Sequence, residues 1–133
     1  MRFRFEHLPG PSADVARPAL EVAILGAAET ITCLCLVDSG SLHNRFGAWV
    51  ADLAGIDLHD AAEQTIGIGG VTIKARTVTA TLQLAEFRWE APVSFCHPWP
   101  FDFQLLGQHG FLRWFTVSID AANETFDVTA NTE

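Results

Sequence analysis

The 133-residue sequence is poor in charge, and poorest in positive charge. Charged residues make up 18%, with 8 Lys plus Arg against 16 Asp plus Glu and a formal net charge of −8. The cations, Arg2, Arg4, Arg17, Arg45, Lys74, Arg76, Arg88 and Arg113, are scattered and form no run. The basic stripe of a nucleic-acid binder is therefore missing, which excludes DNA or RNA as the main partner. The longest apolar stretches fall far short of the roughly 20 residues a membrane span needs, so no membrane partner is expected. Met1–Gly10 carries Arg2, Arg4, Glu6 and His7 and no apolar core segment, so it is not expected to act as a signal peptide. Cysteine is scarce: Cys33, Cys35 and Cys96 are an odd number in an apolar chain. That pattern does not suit a disulfide scaffold and reads as reduced, buried thiols in a cytoplasmic protein. No internal repeat or low-complexity tract interrupts the chain.

What is present is apolar residue, 49% of the chain, with a mean hydropathy of +0.21. A chain of this length can bury a real core as one domain. Its surplus of apolar surface fits burial between subunits. Residues 1–17, with Pro9, Gly10 and Pro11, read as an arm or loop, and 18–133 as the domain. Within it, 19–25 and 30–37 read as strands joined by a turn at 26–29. In 30–37, Ile31, Cys33, Cys35 and Val37 share one face and Thr32, Leu34, Leu36 and Asp38 the other. Both faces are mostly apolar, so the strand is expected to be buried on both sides and to deliver a carboxylate at its end. Residues 45–54 suit a short helix, with Asn44 as N-cap and Gly55 as its stop. Gly69-Gly70 is a two-residue hairpin turn between 64–68 and a long, threonine-rich strand, 71–84. Strands follow at 88–96, 115–120 and 125–129, with a helical turn at 108–112. The sum is a mostly β fold, a small closed barrel or sandwich with one or two short helices.

The sharpest chemical feature is Leu36-Val37-Asp38-Ser39-Gly40-Ser41. A buried strand running into Asp-Ser-Gly takes a carboxylate out of bulk water, which disfavours its charged form unless something holds the charge. Ser39 and Ser41 offer hydroxyl donors, and Gly40 lets a backbone amide approach without a Cβ in the way. Asp-Ser-Gly is also an ordinary turn sequence; its context sets it apart. Other constellations weigh less. Cys33-x-Cys35 with Cys96-His97 lacks the spacing of structural zinc, and no metal is expected. Buried thiols beside His43 or His97 make poor nucleophiles. Ser39 lacks the Gly-x-Ser-x-Gly elbow, with Asp38 where the first glycine would stand. Asp102 lacks a following Ser/Thr-Gly. Asp52, Asp57 and Asp60 read as solvated, and Asp120 as a strand end.

The segment Val37-Asp38-Ser39-Gly40-Ser41-Leu42-His43-Asn44-Arg45-Phe46 resembles the active-site segment of retropepsin-like aspartic proteases, including those of gypsy-type retrotransposons. Three further segments agree in order. Ile66-Gly67-Ile68-Gly69-Gly70 resembles the family's glycine-rich flap. Gln104-Leu105-Leu106-Gly107 resembles the apolar-apolar-Gly element before its C-terminal helix. Residues 111–120 resemble the exit from that helix in small bacterial members. The likeness spans roughly Pro18 to Asp120. Two positions depart from the pattern: Ser41 is of the type seen in pepsin-like lobes, and the flap has no large polar or aromatic residue between Gly67 and Gly70.

The resemblance implies an acid-protease barrel, no cofactor, and hydrolysis of a peptide or protein by a pair of aspartates with an activated water. Asp38 would be catalytic, in a loop with Ser39, Gly40 and Ser41. Gly67, Ile68, Gly69 and Gly70 would form the flap, with Leu106, Gly107 and Trp99 at subsite or supporting positions. Ser41 would add a hydroxyl to hold the carboxylate ionised. The chain holds a single Asp-Ser-Gly and is too short for two lobes. The second Asp38 would therefore come from a second copy across a two-fold axis, with Ser39 reaching toward the partner loop. The rival readings are a catalytically silent dimerisation or peptide-binding module with this fold, and an unrelated ligand-binding barrel.

Overall fold

A computed structural model describes residues 1–10 and 14–132; Pro11, within the expected arm, lies outside the described residues. The strands are β1 (Arg2–Arg4), β2 (Glu6–His7), β3 (Ala16–Arg17), β4 (Ala19–Leu25), β5 (Thr30–Val37), β6 (Asn44–Gly47), β7 (Glu63–Ile68), β8 (Val71–Leu84), β9 (Phe87–His97), β10 (Gln104–Leu106), β11 (Phe115–Asp120) and β12 (Thr125–Ala130). A helix α1 spans Ala48–Ala54, and a single π-helical turn spans Gln108–Leu112. No helix among the described residues is long and apolar enough to cross a membrane.

One sheet runs β4-β5-β10-β6-β9-β8-β7, and β4 also pairs with β8. The extra pairing closes six strands into a barrel and leaves β7 outside the ring, where among the described strands it pairs with β8 alone. The β7–β8 hairpin turns where it was expected. Ile68 faces Val71 across Gly69 and Gly70, whose φ values of 56° and 80° are the left-handed pair that a tight hairpin demands and that glycine accepts at little cost. A smaller sheet, β1-β12-β11, seals one side. There Phe3 stacks on Phe126 with ring centroids 5.3 Å apart. The described part of the segment expected as an arm thus supplies three short strands.

Strand β5 explains the layering. Its Cys33 and Cys35 are buried in the main core with Val22, Phe46, Val93, Leu106 and Phe111, and Ile31 and Val37 pack against them. On its other face Leu34 and Leu36 pack on a second cluster of Leu8, Ala19, Phe103 and Leu105. The two-sided burial read from the sequence holds in part: Cys33 and Cys35 are buried, whereas on the other face Leu34 and Leu36 are half-buried and Thr32 is exposed.

The helix departs from expectation. Residues Asn44–Gly47 are a strand, and α1 begins only at Ala48, with Gly47 as N-cap and no side-chain cap. Asn44 and Phe46 are both fully buried, so the period-2 demand of a barrel strand overrides the 3.6-residue pattern there. Gly55 does end the helix, at φ 77°, with its amide on the carbonyl of Ala51.

Candidate active site

Strands β5 and β10 run parallel in register, Val37 beside Leu106. Asp38 and Gly107 therefore leave the barrel side by side, and the amide of Asp38 donates to the carbonyl of Leu106 at 2.9 Å. The Asp38 carboxylate is half-buried. Its Oδ1 accepts the amide of Gly40 at 3.0 Å, and a Cβ on Gly40 would press to 3.2 Å from that oxygen. Glycine allows this close backbone approach without displacing the carboxylate. The amide of Ser41 closes the turn on the carbonyl of Asp38 at 3.1 Å.

The chain just after β10 clamps this loop from below. The amide of Gln108 donates to Ser41 O and that of His109 to Leu42 O, both at 2.8 Å. Gln108 Nε2 donates to Ser39 O at 2.7 Å. Asn44 completes the clamp: its Oδ1 accepts the Gly107 amide and its Nδ2 donates to Gly110 O, each at 3.0 Å. A Cβ on Gly107 would collide with the carbonyls of His43 and Ser41, and one on Gly110 with the Asn44 side chain. Asn44 therefore serves as an internal clip, where the sequence suggested an N-cap. Sequence reasoning missed this role, since a polar residue before an apolar run signals a cap equally well.

Ser41 also differs from expectation. It is buried, but its Oγ donates to His43 O at 2.7 Å and accepts Arg45 Nε at 3.2 Å. Its hydroxyl thus braces the loop, and the Gly40 amide holds the carboxylate. Ser39 is exposed. His43 sits edge-on to His109, ring centroids 5.8 Å apart, and its Nδ1 is buried without a hydrogen-bond partner. Burial, with Arg45 and His109 nearby, lowers its pKa.

Two cavities open at Asp38. One of about 300 Å³ is lined by Leu8, Arg17, Leu36, Asp38, Ile68, Gly69, Phe101, Phe103 and Leu105. The other, about 170 Å³ and more polar, is lined by Asp38, Gly40, Ser41, Arg45, Gly67, Ile68 and Leu105. The hairpin residues Gly67, Ile68 and Gly69 are thus brought to the carboxylate; Gly70 completes the turn. Leu106 is fully buried in the core, so Leu105, its neighbour on β10, faces the cleft instead. Trp99 does not line either cavity. Its Nε1 donates to Phe103 O at 2.9 Å, and its ring meets Phe101 edge-on at 5.4 Å. Phe101 in turn stacks on Phe103 at 5.0 Å. Trp99 therefore supports the aromatic wall, and Phe101 and Phe103, which the sequence reading did not single out, form it.

The remaining acids stand apart. Asp52, Asp57, Asp60, Asp102 and Asp120 are all exposed, and Asp120 ends β11. Burial pushes the Cys33 and Cys96 thiols up to about 11 and raises that of Cys35 well above its usual range. No group of three or more His, Cys, Asp or Glu side chains among the described residues is arranged to hold a metal ion.

No protein-family model matches the sequence, and no curated protein does. Among solved structures the chain is similar to the crystal structure of a retropepsin-like aspartic protease from Rickettsia conorii. The TM-score is 0.64 over 97% of this chain and 98% of that one, at 14% sequence identity. The fold is retropepsin-like.

Proposed function

We propose that the protein is an aspartic endopeptidase that works as a homodimer, each copy contributing Asp38. The observation that carries this reading is the setting of Asp38. A single carboxylate, held by the Gly40 amide on a clamped loop, faces a cleft walled by Phe101, Phe103 and Leu105 and met by the tip of the β7–β8 hairpin. The retropepsin-like fold supports it. So does the half-exposed Leu42 (47%) in the same loop, an apolar side chain suited to a subunit contact.

Peptide hydrolysis by this chemistry needs two carboxyl groups sharing one proton. Two like charges in contact do not both ionise, so the pair titrates as a unit. The ionised member takes a proton from water as its oxygen attacks the carbonyl carbon, and the protonated member gives its proton to the carbonyl oxygen. The resulting tetrahedral diol then collapses: a proton passes to the amide nitrogen, the C–N bond breaks and the dyad returns to its shared-proton state. A two-fold axis beside Asp38 supplies both members from one residue type. Each hairpin then acts as a flap, its backbone pairing with an extended peptide as an added strand. The exposed Ser39 hydroxyl contacts the partner loop.

The test is cleavage of an unbiased peptide library between about pH 3 and 7, with the unaltered chain and Asp38→Asn side by side. Bell-shaped activity that vanishes in the variant supports the reading. A dimer that cleaves nothing supports the catalytically silent module instead.

A further inference from the structure

Arg45 and Arg17 each line a cavity at Asp38, and Arg45 is the cation at the smaller, more polar one. Asn44 and Phe46 point into the core, so the alternation of β6 sends Arg45 to the opposite face. There it lines the smaller cavity beside Asp38, Gly40, Gly67 and Ile68. The side chain is half-buried. Its Nε donates to Ser41 Oγ at 3.2 Å, and its charge lies close enough to the Cys96 thiol to oppose part of that thiol's upward shift. Both neighbours are neutral groups here, since burial holds that thiol protonated. Among the described residues the one ion pair joins Arg2 and Asp127, so no described carboxylate, Asp38 included, makes a direct ion pair with Arg45.

A guanidinium taken partly out of water and left with neutral acceptors lacks the counter-charge that stabilises a buried ion. Its terminal N–H groups suit a carboxylate, which they bind with charge-assisted hydrogen bonds. At about 170 Å³ the cavity has the scale of a short polar side chain. The neighbouring cavity, about 300 Å³ and walled by Phe101 and Phe103, suits an apolar one. The chain's net charge of −8 repels acidic peptides in general, so a preference for one has to come from a local cation.

We infer that Arg45 determines specificity by binding an Asp or Glu side chain of the peptide lying in the cleft, next to a position that takes a large apolar residue. This rests on the peptidase reading of the cleft. In a symmetric dimer the second Arg45 repeats the preference on the other side of the bond to be cut.

The test uses octapeptides with a central Phe, in which Glu or Gln is scanned through the other positions. Their binding to the Asp38→Asn chain is measured by fluorescence anisotropy, so that affinity is read without turnover. At one or more positions Glu binds roughly tenfold tighter than Gln, and the gap narrows as salt rises. Arg45→Gln abolishes the gap and Arg45→Lys restores part of it. Equal affinity for Glu and Gln at every position with Arg45 intact overturns the inference, and needs no Arg45 variant that has to fold. A gap that survives Arg45→Gln overturns it as well. Cleavage of the same peptides by the unaltered chain is scored separately. Cleavage without a Glu preference sinks this inference alone, whereas an Arg45-dependent preference without cleavage sinks the peptidase reading alone. Failure of every peptide to bind overturns both.

Discussion

Asn44 accepts the backbone amide of Gly107 at 3.0 Å, across 63 residues of sequence. With its second bond, to Gly110 O, it fixes the loop that follows β5 to the chain that follows β10. Asn44→Ala leaves the Gly107 amide unpaired in a fully buried site, while Gly110 O keeps the Trp89 indole N–H at 2.8 Å. One such group costs about 1–3 kcal/mol, so the variant loses at least that much in urea unfolding. A loss within about 0.5 kcal/mol, the usual range for a surface change, removes the clip from the account.

Much of this site was legible beforehand, and the reasons differ by residue. Asp38 stood out because strand β5 reads as two-sided apolar sequence that stops at a carboxylate. Gly69-Gly70 stood out because few sequences make a two-residue turn as readily. Asn44 and Ser41 were misread because a local pattern cannot reveal a partner more than sixty residues away, nor which of several nearby acceptors a hydroxyl takes. Phe101 and Phe103 were passed over because an aromatic residue in a loop looks alike whether it walls a cleft or supports the wall. Trp99 does the second.

Phe101 carries a prediction of its own. It is half-buried, stacked on Phe103 and set at the cleft. Phe101→Ala lowers kcat/KM about tenfold or more for peptides with a large apolar residue at the adjoining position, while peptides with a small residue there change little. An equal loss for both peptide sets assigns Phe101 to support alone.

The three thiols are buried, two of them with pKa values pushed up to about 11 and the third raised well above its usual range by burial. A thiol-specific aromatic disulfide reagent at pH 7 should label none of Cys33, Cys35 and Cys96 in the folded protein and all three after denaturation. Rapid labelling of the folded chain contradicts their assignment to the core.

His43 gives the protein a pH-dependent weakness. Its pKa in the fold lies below the ordinary 6.5, chiefly through desolvation and then through Arg45 and His109. The unfolded chain therefore takes up this proton first as pH falls. The stability tied to neutral His43 is complete above about pH 6.5 and is lost as pH drops below it toward the folded value. Chemical unfolding of His43→Phe is accordingly less sensitive to pH between about 7 and 5 than that of the unaltered chain. An imidazole NMR titration placing His43 at or above 6.5 contradicts the assignment.

The central claim is that one active site is built from Asp38 of two copies. The most direct measurement mixes the unaltered chain with Asp38→Asn at fixed total concentration, after the subunits have exchanged. If both carboxyl groups are required, activity follows the square of the unaltered fraction, falling to about a quarter in an equal mixture of a symmetric dimer. A fall to only about half means that each chain cuts on its own, and contradicts the shared dyad.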